Sequence, residues 1–322
     1  MGGHAFRSLG FPEVRLSAKE YLPFSEKVVE QLSTAFPGCS FLVPKSYSSK
    51  ESFGDLDIVT DLPKDSRKEA EGLLRPQAVN INGPCMSLLV DDFQVDLISL
   101  PKEDLVTSFW YYSYNDIGNL LGKIFHKFGI KYGHRGLTLP LRSGTHKFGE
   151  VMISKDLGKI LSSIGLSAER YKKGFLDLED MFQFVESSPF FNPAIYQYSA
   201  LNAENRVRDR KRPTYQAFIQ RWEGRLEGGW YEFKENKEEY LEVIFLAFPL
   251  AKEEYLLAKK ALEEDGERKL KFNGELVLKW TGLCGHKLGE FMREFREKYS
   301  KEWFSGKDVK EIEQMVKSEF KK

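Results

Sequence analysis

The sequence has few cysteines and no long apolar run. Its three cysteines, Cys39, Cys85 and Cys284, lie far apart and form no CxxC pair, which argues against a disulfide framework or a cysteine zinc site. The longest apolar run, VIFLAFPLA at 243–251, is too short to span a bilayer. Residues 1–10 lack the apolar segment of a signal peptide. We therefore expect a soluble, intracellular protein of the cytoplasm with no membrane partner.

An excess of charge of either sign is also missing. Lysine and arginine together number 48, as do aspartate and glutamate, so the formal net charge is zero. No global field then draws the chain toward nucleic acid, and any such binding must come from local basic patches. The 322 residues, of which 41% are hydrophobic, suffice for two or three domains with a sizeable core.

Hydrophobic periodicity predicts an α+β fold. A helix with a capping box formed by Ser17 and Glu20 is expected first, followed by strands at CSFLVP, LDIVT, AVNING, CMSLLV and FQVDLISL and an amphipathic helix at NDIGNLLGKIFHKFG. A tight turn at Asp91-Asp92 is expected to join the last two strands. From about residue 155 onward the pattern is almost wholly helical. We therefore expect a domain with a small mixed sheet at 1–150, a basic helical region at 151–230 and a helical C-terminal domain at 231–322.

Two aspartates one residue apart mark the stretch SFGDLDIVTDLP. Alternation along a strand sends residues i and i+2 to one face, so Asp55 and Asp57 share a face while Leu56 and Ile58 lie on the buried one. Carboxylates held this close repel unless a cation lies between them. A divalent metal site is one interpretation, and a polar strand end with two solvated acids is the other.

A third acid, Asp96, occupies the middle of FQVDLISL, between Val95 and Leu97. An acid in such a strand is costly unless it is paired or binds a metal. If this strand lies beside the one that carries Asp55 and Asp57, three carboxylates converge. Such a cluster suits two Mg²⁺ ions, with Mn²⁺ as the alternative. The alternative interpretation of Asp96 alone is an acid at the polar face of the sheet.

Three segments together resemble a known family. VPKSYSSKESFGDLDIV, followed by a third Asp on a later strand, resembles the nucleotidyltransferase signature of a Ser-bearing loop and Gly-Asp-x-Asp. It is closest to the palm domain of family-X DNA polymerases, in the DNA polymerase beta superfamily. YYSYNDIGN resembles the family's Tyr-Phe-Thr-Gly-Ser segment, and KFGIKYGHRGL resembles the glycine-marked hairpin that follows it. The resemblance covers about residues 40–145.

The resemblance implies roles for particular residues. Asp55, Asp57 and Asp96 would be catalytic and hold two Mg²⁺ ions, and Lys123 would reach toward nucleic acid. Tyr114 stands where the family has Gly, so its ring either excludes one sugar or repacks. The nucleotide, ATP or another nucleoside triphosphate, would be bound by Ser46, Lys50, Gly54, Tyr111, Tyr112 and Asn119.

The densest basic cluster of the chain is RVRDRKRP at 206–213. Arginine forks suit phosphates and stack on bases, and aromatic residues surround this segment. We interpret the cluster as nucleic-acid-binding, and a solvated helical face is the alternative. Its basic residues are Arg206, Arg208, Arg210, Lys211 and Arg212.

A C-terminal stretch, FNGELVLKWTGLCGHKLGEFMREFREKYSKEW, is similar to the closing segment of bacterial tRNA nucleotidyltransferases and poly(A) polymerases. Gly282, Gly285 and Gly289 there permit a tight turn, close helix approach or backbone contact with a phosphate. An ordinary helical packing unit is the alternative.

Taken together, these features predict a metal-dependent nucleotidyltransferase that releases pyrophosphate. The expected acceptor is the 3′ end of RNA, most of all tRNA, which is favoured over DNA because the N-terminus shows no helix-hairpin-helix module. A minimal family-X DNA polymerase is the main alternative. A toxin-like transferase acting on tRNA, a protein or a small molecule is another, and a catalytically silent nucleic-acid-binding module is the last.

Overall fold

The computed structural model describes residues 3–143 and 146–320 and contains three small sheets. The strands, in chain order, are β1 (Leu16–Ser17), β2 (Phe41–Leu42), β3 (Ser52–Phe53), β4 (Asp55–Thr60), β5 (Ala78–Asn82), β6 (Cys85–Val90), β7 (Phe93–Ser99), β8 (Lys131–Gly133), β9 (Gly136–Ser143) and β10 (His146–Ser154).

Helices make up most of the remaining described chain. They are α1 (Ala18–Ala35), α2 (Arg67–Leu74), α3 (Leu105–Tyr112), α4 (Ile117–Lys127), α5 (Leu157–Ser162), α6 (Ala168–Lys173), α7 (Leu178–Glu186), α8 (Ala203–Asp209), α9 (Pro213–Arg221), α10 (Leu241–Ala247), α11 (Leu250–Lys271), α12 (Gly274–Thr281), α13 (Gly285–Lys298), α14 (Lys301–Ser305) and α15 (Val309–Phe320).

The largest sheet has five strands in the order β2-β4-β7-β6-β5. Only β4 and β7 pair in parallel, and the other neighbours are antiparallel, so the sheet is mixed. Beyond β10 the described residues form helices and loops without strands. The predicted α+β class, a small mixed sheet followed by a mainly helical C-terminal region, is confirmed.

One face of the five-stranded sheet packs against α1 and α2. Leu56 and Ile58 of β4 are fully buried there, against Val28 and Leu32 of α1. The capping box predicted for Ser17 is present, and α1 runs on as a single helix through its internal proline. The apolar alternation of β4 therefore fixes which side chains are left for the opposite face, namely its two aspartates.

The turn between β6 and β7 was predicted at Asp91-Asp92 and is confirmed. Both residues have positive φ, 49° and 63°, as a two-residue hairpin turn requires. The side chain of Asp92 accepts a hydrogen bond from Gln77 Nε2 at 2.6 Å. This turn sets the register of β7 and so the position of Asp96 along it.

The chain divides into two compact units. The first comprises the chain up to Pro140 together with Met152–Phe248, and the second comprises Leu141–Val151 and Pro249–Lys322. The second unit has its own aromatic core, which includes Phe272, Phe295 and Phe304. The boundaries of the three domains expected from the sequence remain a prediction.

Within the described ranges, no helix has the length and apolarity that crossing a membrane demands.

The three glycines of the C-terminal motif lie at or near the turn between α12 and α13. Gly282 ends α12 in a left-handed conformation, with φ 75°, and its N–H donates to Leu278 O. A Cβ atom added at Gly282, Gly285 or Gly289 would meet no described atom within 4 Å. The expectation of close helix approach is therefore wrong, because these glycines border open space. The tight turn is confirmed.

Candidate active site

Three carboxylates converge on one face of the central sheet. In the parallel pair, Asp57 of β4 lies opposite Asp96 of β7, and Asp55 lies opposite Gln94. One carboxylate oxygen from each of the three aspartates lies within 4.8 Å of the others. The sequence predicted this cluster on the condition that the two strands are neighbours, and that condition is met.

Burial makes the charged form of this cluster unfavourable. It raises the pKa of Asp55 and of Asp57, and the negative charges of Asp55 and Asp96 raise the pKa of Asp57 further. Burial likewise raises the pKa of Asp96 to about 6. Three acids that repel one another and have lost water are stabilised when a cation binds between them.

The hydrogen bonding of Asp96 leaves room for such a cation. Its Oδ2 accepts from Gln94 Nε2 at 2.9 Å, and the backbone N–H of Ala5 holds Gln94 in place by donating to Oε1 at 2.9 Å. Its Oδ1 is buried without a hydrogen-bond partner among the described residues. A buried carboxylate oxygen without a hydrogen-bond partner, in a cluster with two further carboxylates, fits a divalent metal ion, whose preferred ligands are oxygens.

A cavity of about 310 Å³ opens beside Asp55 and Asp57. Five residues predicted to bind nucleotide or nucleic acid line it together with this pair: Ser46, Lys50, Tyr112, Lys211 and Arg212. The cavity therefore combines two carboxylates with ammonium and guanidinium groups and a hydroxyl. This combination suits a ligand that carries both a metal ion and phosphates.

Lys50 is the cation most closely tied to the carboxylates. Its Nζ lies 4.4 Å from the ring centroid of Phe53 and donates to Asn115 Oδ1 at 3.5 Å. Burial lowers the pKa of Lys50, while the charges of Asp55 and Asp57 act in the opposite direction. The ammonium group is thus held at the cavity by interactions that a bound anion can replace.

Tyr114 does not line this cavity. It is 1% exposed and packs edge-on against Tyr171 and Phe175, with ring centroids 5.3 and 4.8 Å away. Its φ is 59°, and its N–H donates to Lys45 O at 2.6 Å. We considered that this ring either excludes a sugar or repacks, and in the structure it is packed into the core. Asn115 and the next residue, Asp116, line the cavity instead.

Tyr111, Asn119 and Lys123 lie away from the carboxylates, around a second cavity. Asn119 Nδ2 donates to Asp209 Oδ1 at 3.2 Å, and Lys123 Nζ donates to Asp209 Oδ2 at 2.6 Å. Burial lowers the pKa of Lys123, and the bond to Asp209 opposes that shift. The side chains expected to contact a base edge and nucleic acid thus bind a carboxylate of α8 in this structure.

The basic segment around α8 divides into two groups. Arg206 donates to the carbonyl of Leu201, just before α8, and Arg208 donates to Asn119 Oδ1 of α4 at 2.8 Å, so both hold α8 in place. Arg210 lies over the ring of Tyr198, 5.3 Å from its centroid. The last two members, Lys211 and Arg212, face the cavity beside the carboxylates, where Arg212 pairs with Asp116.

Gly54, which precedes the aspartate pair, is buried. Its carbonyl oxygen lies 2.5 Å from where a Cβ of Gly3 would be, so the N-terminal segment passes directly over this point. His4, next along that segment, lines the cavity.

Sequence reasoning missed three polar residues of this region, Asn115, Asp116 and Asp209. The only signal for the first two was an Asn-Asp step before a helix, which is typical of turns. For Asp209 the signal was its isolation, since it is the single acid within RVRDRKRP. A lone acid in a basic run is a reasonable candidate for a buried counter-ion.

We predict that Asp209→Asn lowers the free energy of unfolding by about 3 kcal/mol, because it leaves the ammonium of Lys123 buried without its counter-charge. The two side chains are 0% and 8% exposed, respectively. Asp91→Asn is the matched control, because Asp91 pairs with Lys27 at the surface and its loss costs less than about 1 kcal/mol. Urea unfolding measures both variants, and equal small losses would contradict the buried pair.

We predict that Asp57→Asn raises the melting temperature of the metal-free protein, because it removes one of three repelling charges. Burial and the negative charges of Asp55 and Asp96 raise the pKa of Asp57 in the folded state above the value of about 3.9 in an unfolded chain, which moves its titration into the range above about pH 4. The folded state therefore binds more protons in this window, and the cluster costs more stability as the pH rises through it. The advantage of the variant should grow from about pH 4 to pH 7.

Magnesium should reverse the order of the melting temperatures of the wild type and Asp57→Asn. The ion should raise the melting temperature of the wild type, by less as the pH falls below about 6, and leave Asp57→Asn unchanged. Asp65→Asn, at an exposed acid outside the cluster, should respond as the wild type does. Differential scanning calorimetry checks both parts, and an equal magnesium effect in Asp57→Asn would refute the site.

Comparison with known proteins adds no family assignment to this geometry. No protein-family model matches the chain, and no curated protein matches it significantly. The chemistry open to the candidate active site follows from its own residues: three convergent carboxylates, an orphaned carboxylate oxygen and a cavity that also carries cations.

Proposed function

We propose that the protein is a metal-dependent nucleotidyltransferase, which moves a nucleoside monophosphate from a nucleoside triphosphate to a hydroxyl of a nucleic acid. The observation that carries the proposal is the convergence of Asp55, Asp57 and Asp96 within 4.8 Å, beside a cavity lined by Lys50, Arg212 and other cations. Phosphoryl transfer needs both parts, because negative charge develops on the attacking and leaving oxygens while the triphosphate must be held.

Asp55, Asp57 and Asp96 would hold two Mg²⁺ ions. When bound, ions at such a site lower the pKa of the attacking hydroxyl and offset the charge of the leaving pyrophosphate. The support on this chain is the donor set, which consists of oxygens alone, and the unpartnered Oδ1 of Asp96.

Asp96 is also the candidate acceptor of the hydroxyl proton. A general base must lie within hydrogen-bond reach of the proton that it accepts, and Asp96 belongs to the cluster at which the attacking hydroxyl would be held. Gln94 fixes its orientation by a 2.9 Å hydrogen bond to Oδ2. Asp96 thus offers a carboxylate in a fixed orientation.

The cations of the cavity would hold the triphosphate. Lys50 and Lys211 supply ammonium groups, Arg212 supplies a planar guanidinium, and Ser46 offers a hydroxyl that donates to a phosphate oxygen. Arg212 is aimed by its ion pair with Asp116. Two of these cations come from the segment after α8, so triphosphate binding would join the sheet to the helical region.

RNA is the acceptor that we propose, with the 3′ end of tRNA first. Its support is the similarity of residues 272–303 to tRNA nucleotidyltransferases, whose glycines border open space here. The YYSYNDIGN segment favours the alternative, a minimal family-X DNA polymerase. The two differ in the sugar of the donor and in their need for a template.

We predict that Asp57→Ala abolishes transfer, with a loss of at least about 10³-fold in rate, because it removes a ligand from the charge-stabilising cluster. The assay follows extension of tRNA lacking its 3′ end, and of primed and gapped DNA, with each labelled NTP and dNTP and magnesium. Asp65→Ala, an exposed acid outside the cluster, should retain the wild-type rate.

Extension of tRNA by CTP and ATP without a template would support the RNA acceptor. Template-directed insertion of dNTPs would instead identify a DNA polymerase, and labelling of a protein or small molecule a toxin-like transferase. Transfer by Asp57→Ala at the wild-type rate would contradict the whole proposal. Circular dichroism on each variant checks that the fold is retained.

A further inference from the structure

A second cavity, of about 470 Å³, lies across the tyrosine pair that ends α3, Tyr111 and Tyr112, from the cavity beside the carboxylates. It is bounded by one face of α4, by β8 and by residues that lead into α8. Its volume falls within the usual range of ligand sites. Its lining contains the cationic side chains Lys123, Lys127, Lys131, Arg208 and Lys237 and the imidazoles of His126 and His134, and no aspartate or glutamate among the described residues.

The charge of this cavity is a local feature, because the whole chain is neutral. The nearest acid along α8 is Asp209, which is fully buried and contacts both Lys123 and Arg208. One carboxylate can neutralise only one of those two cations, so this part of the wall keeps a net positive charge. Such a cavity favours an anionic ligand.

Aromatic and amide groups lie among these cations. The rings of Tyr111 and Tyr132 meet edge-on with centroids 5.2 Å apart, and both residues line the cavity. His134 also lines it and stacks on Tyr112 at 6.1 Å. Rings interleaved with cations are the usual means of holding single-stranded nucleic acid, because bases stack on the rings while the cations contact phosphates.

The two cavities share a wall. Tyr111 and Tyr112 are consecutive residues with ring centroids 5.4 Å apart, and the first lines the cationic cavity while the second lines the carboxylate cavity. The segment at α8 repeats this division, since Arg208 faces one cavity and Lys211 the other. A strand that ends at the carboxylates can therefore continue past the tyrosine pair into the cationic cavity.

We propose that the cationic cavity binds the acceptor strand, as a single-stranded stretch of nucleic acid upstream of its reacting end. The role of the strand as acceptor rests on the proposed function, whereas its binding does not require catalysis. Lys127 and Lys131 contact phosphates in this assignment, and Tyr111, which is partly exposed, offers its ring to a base. Asp209 acts as a positioning residue that holds Lys123 and α8 in place.

The test is fluorescence anisotropy of a labelled RNA of about ten nucleotides, with the full chain, in EDTA and without NTP. Lys127→Gln and Lys131→Gln should each weaken binding about fivefold at 0.1 M salt, and each should reduce the slope of log K against log salt by about 0.7. Lys68→Gln is the matched control. It removes the same charge from the exposed face of α2, outside both cavities, and should bind as the wild type does.

Wild-type affinity and salt slope in both cavity variants would overturn the proposal, as would an equal loss in Lys68→Gln, which would indicate non-specific attraction. Failure here is distinguishable from failure of the proposed function. If Asp57→Ala binds the RNA but does not extend it, both proposals stand. If the cavity variants bind normally while Asp57→Ala is inactive, only the cationic cavity is refuted.

Discussion

The repulsion among three partly buried carboxylates is the constraint on which the rest of the structure depends. Parallel pairing of β4 and β7 places Asp57 directly opposite Asp96, while the apolar alternation of β4 prevents its aspartates from turning into the core. Neither strand can slip by one residue without burying an acid among leucines. The sheet thus fixes an arrangement of charge that is unfavourable by itself and becomes favourable with a cation.

The helical region supplies positive charge beside the carboxylates, and a buried ion pair positions the segment that carries this charge. Asp209 binds Lys123 of α4 and Arg208 of its own helix, which anchors α8 against the first unit's core. Because α8 is anchored, the residues that follow it, Lys211 and Arg212, reach the carboxylate cavity. One basic segment therefore serves two purposes: part of it holds the fold, and part of it supplies charge to the site.

The sequence predicted those features that depend on local periodicity and turn chemistry. The face shared by Asp55 and Asp57, the capping box of α1 and the turn at Asp91-Asp92 all follow from such rules, and the structure has them. Long-range partners were not accessible in this way. Nothing local indicates that Asn119 would bind an acid 90 residues further along the chain, or that Tyr114 would turn into the core with a positive φ.

The most direct test of the account is a titration with Mn²⁺, in which electron paramagnetic resonance measures the ion left free in solution. The convergence of the three carboxylates predicts that the wild-type protein takes up Mn²⁺ and that Asp96→Asn loses most of this uptake. Asn keeps the shape of the side chain and its bond to Gln94, so the lost charge alone would account for the change. Equal uptake by the wild type and Asp96→Asn would show that the cluster is not a metal site, and the proposed chemistry would fall with it.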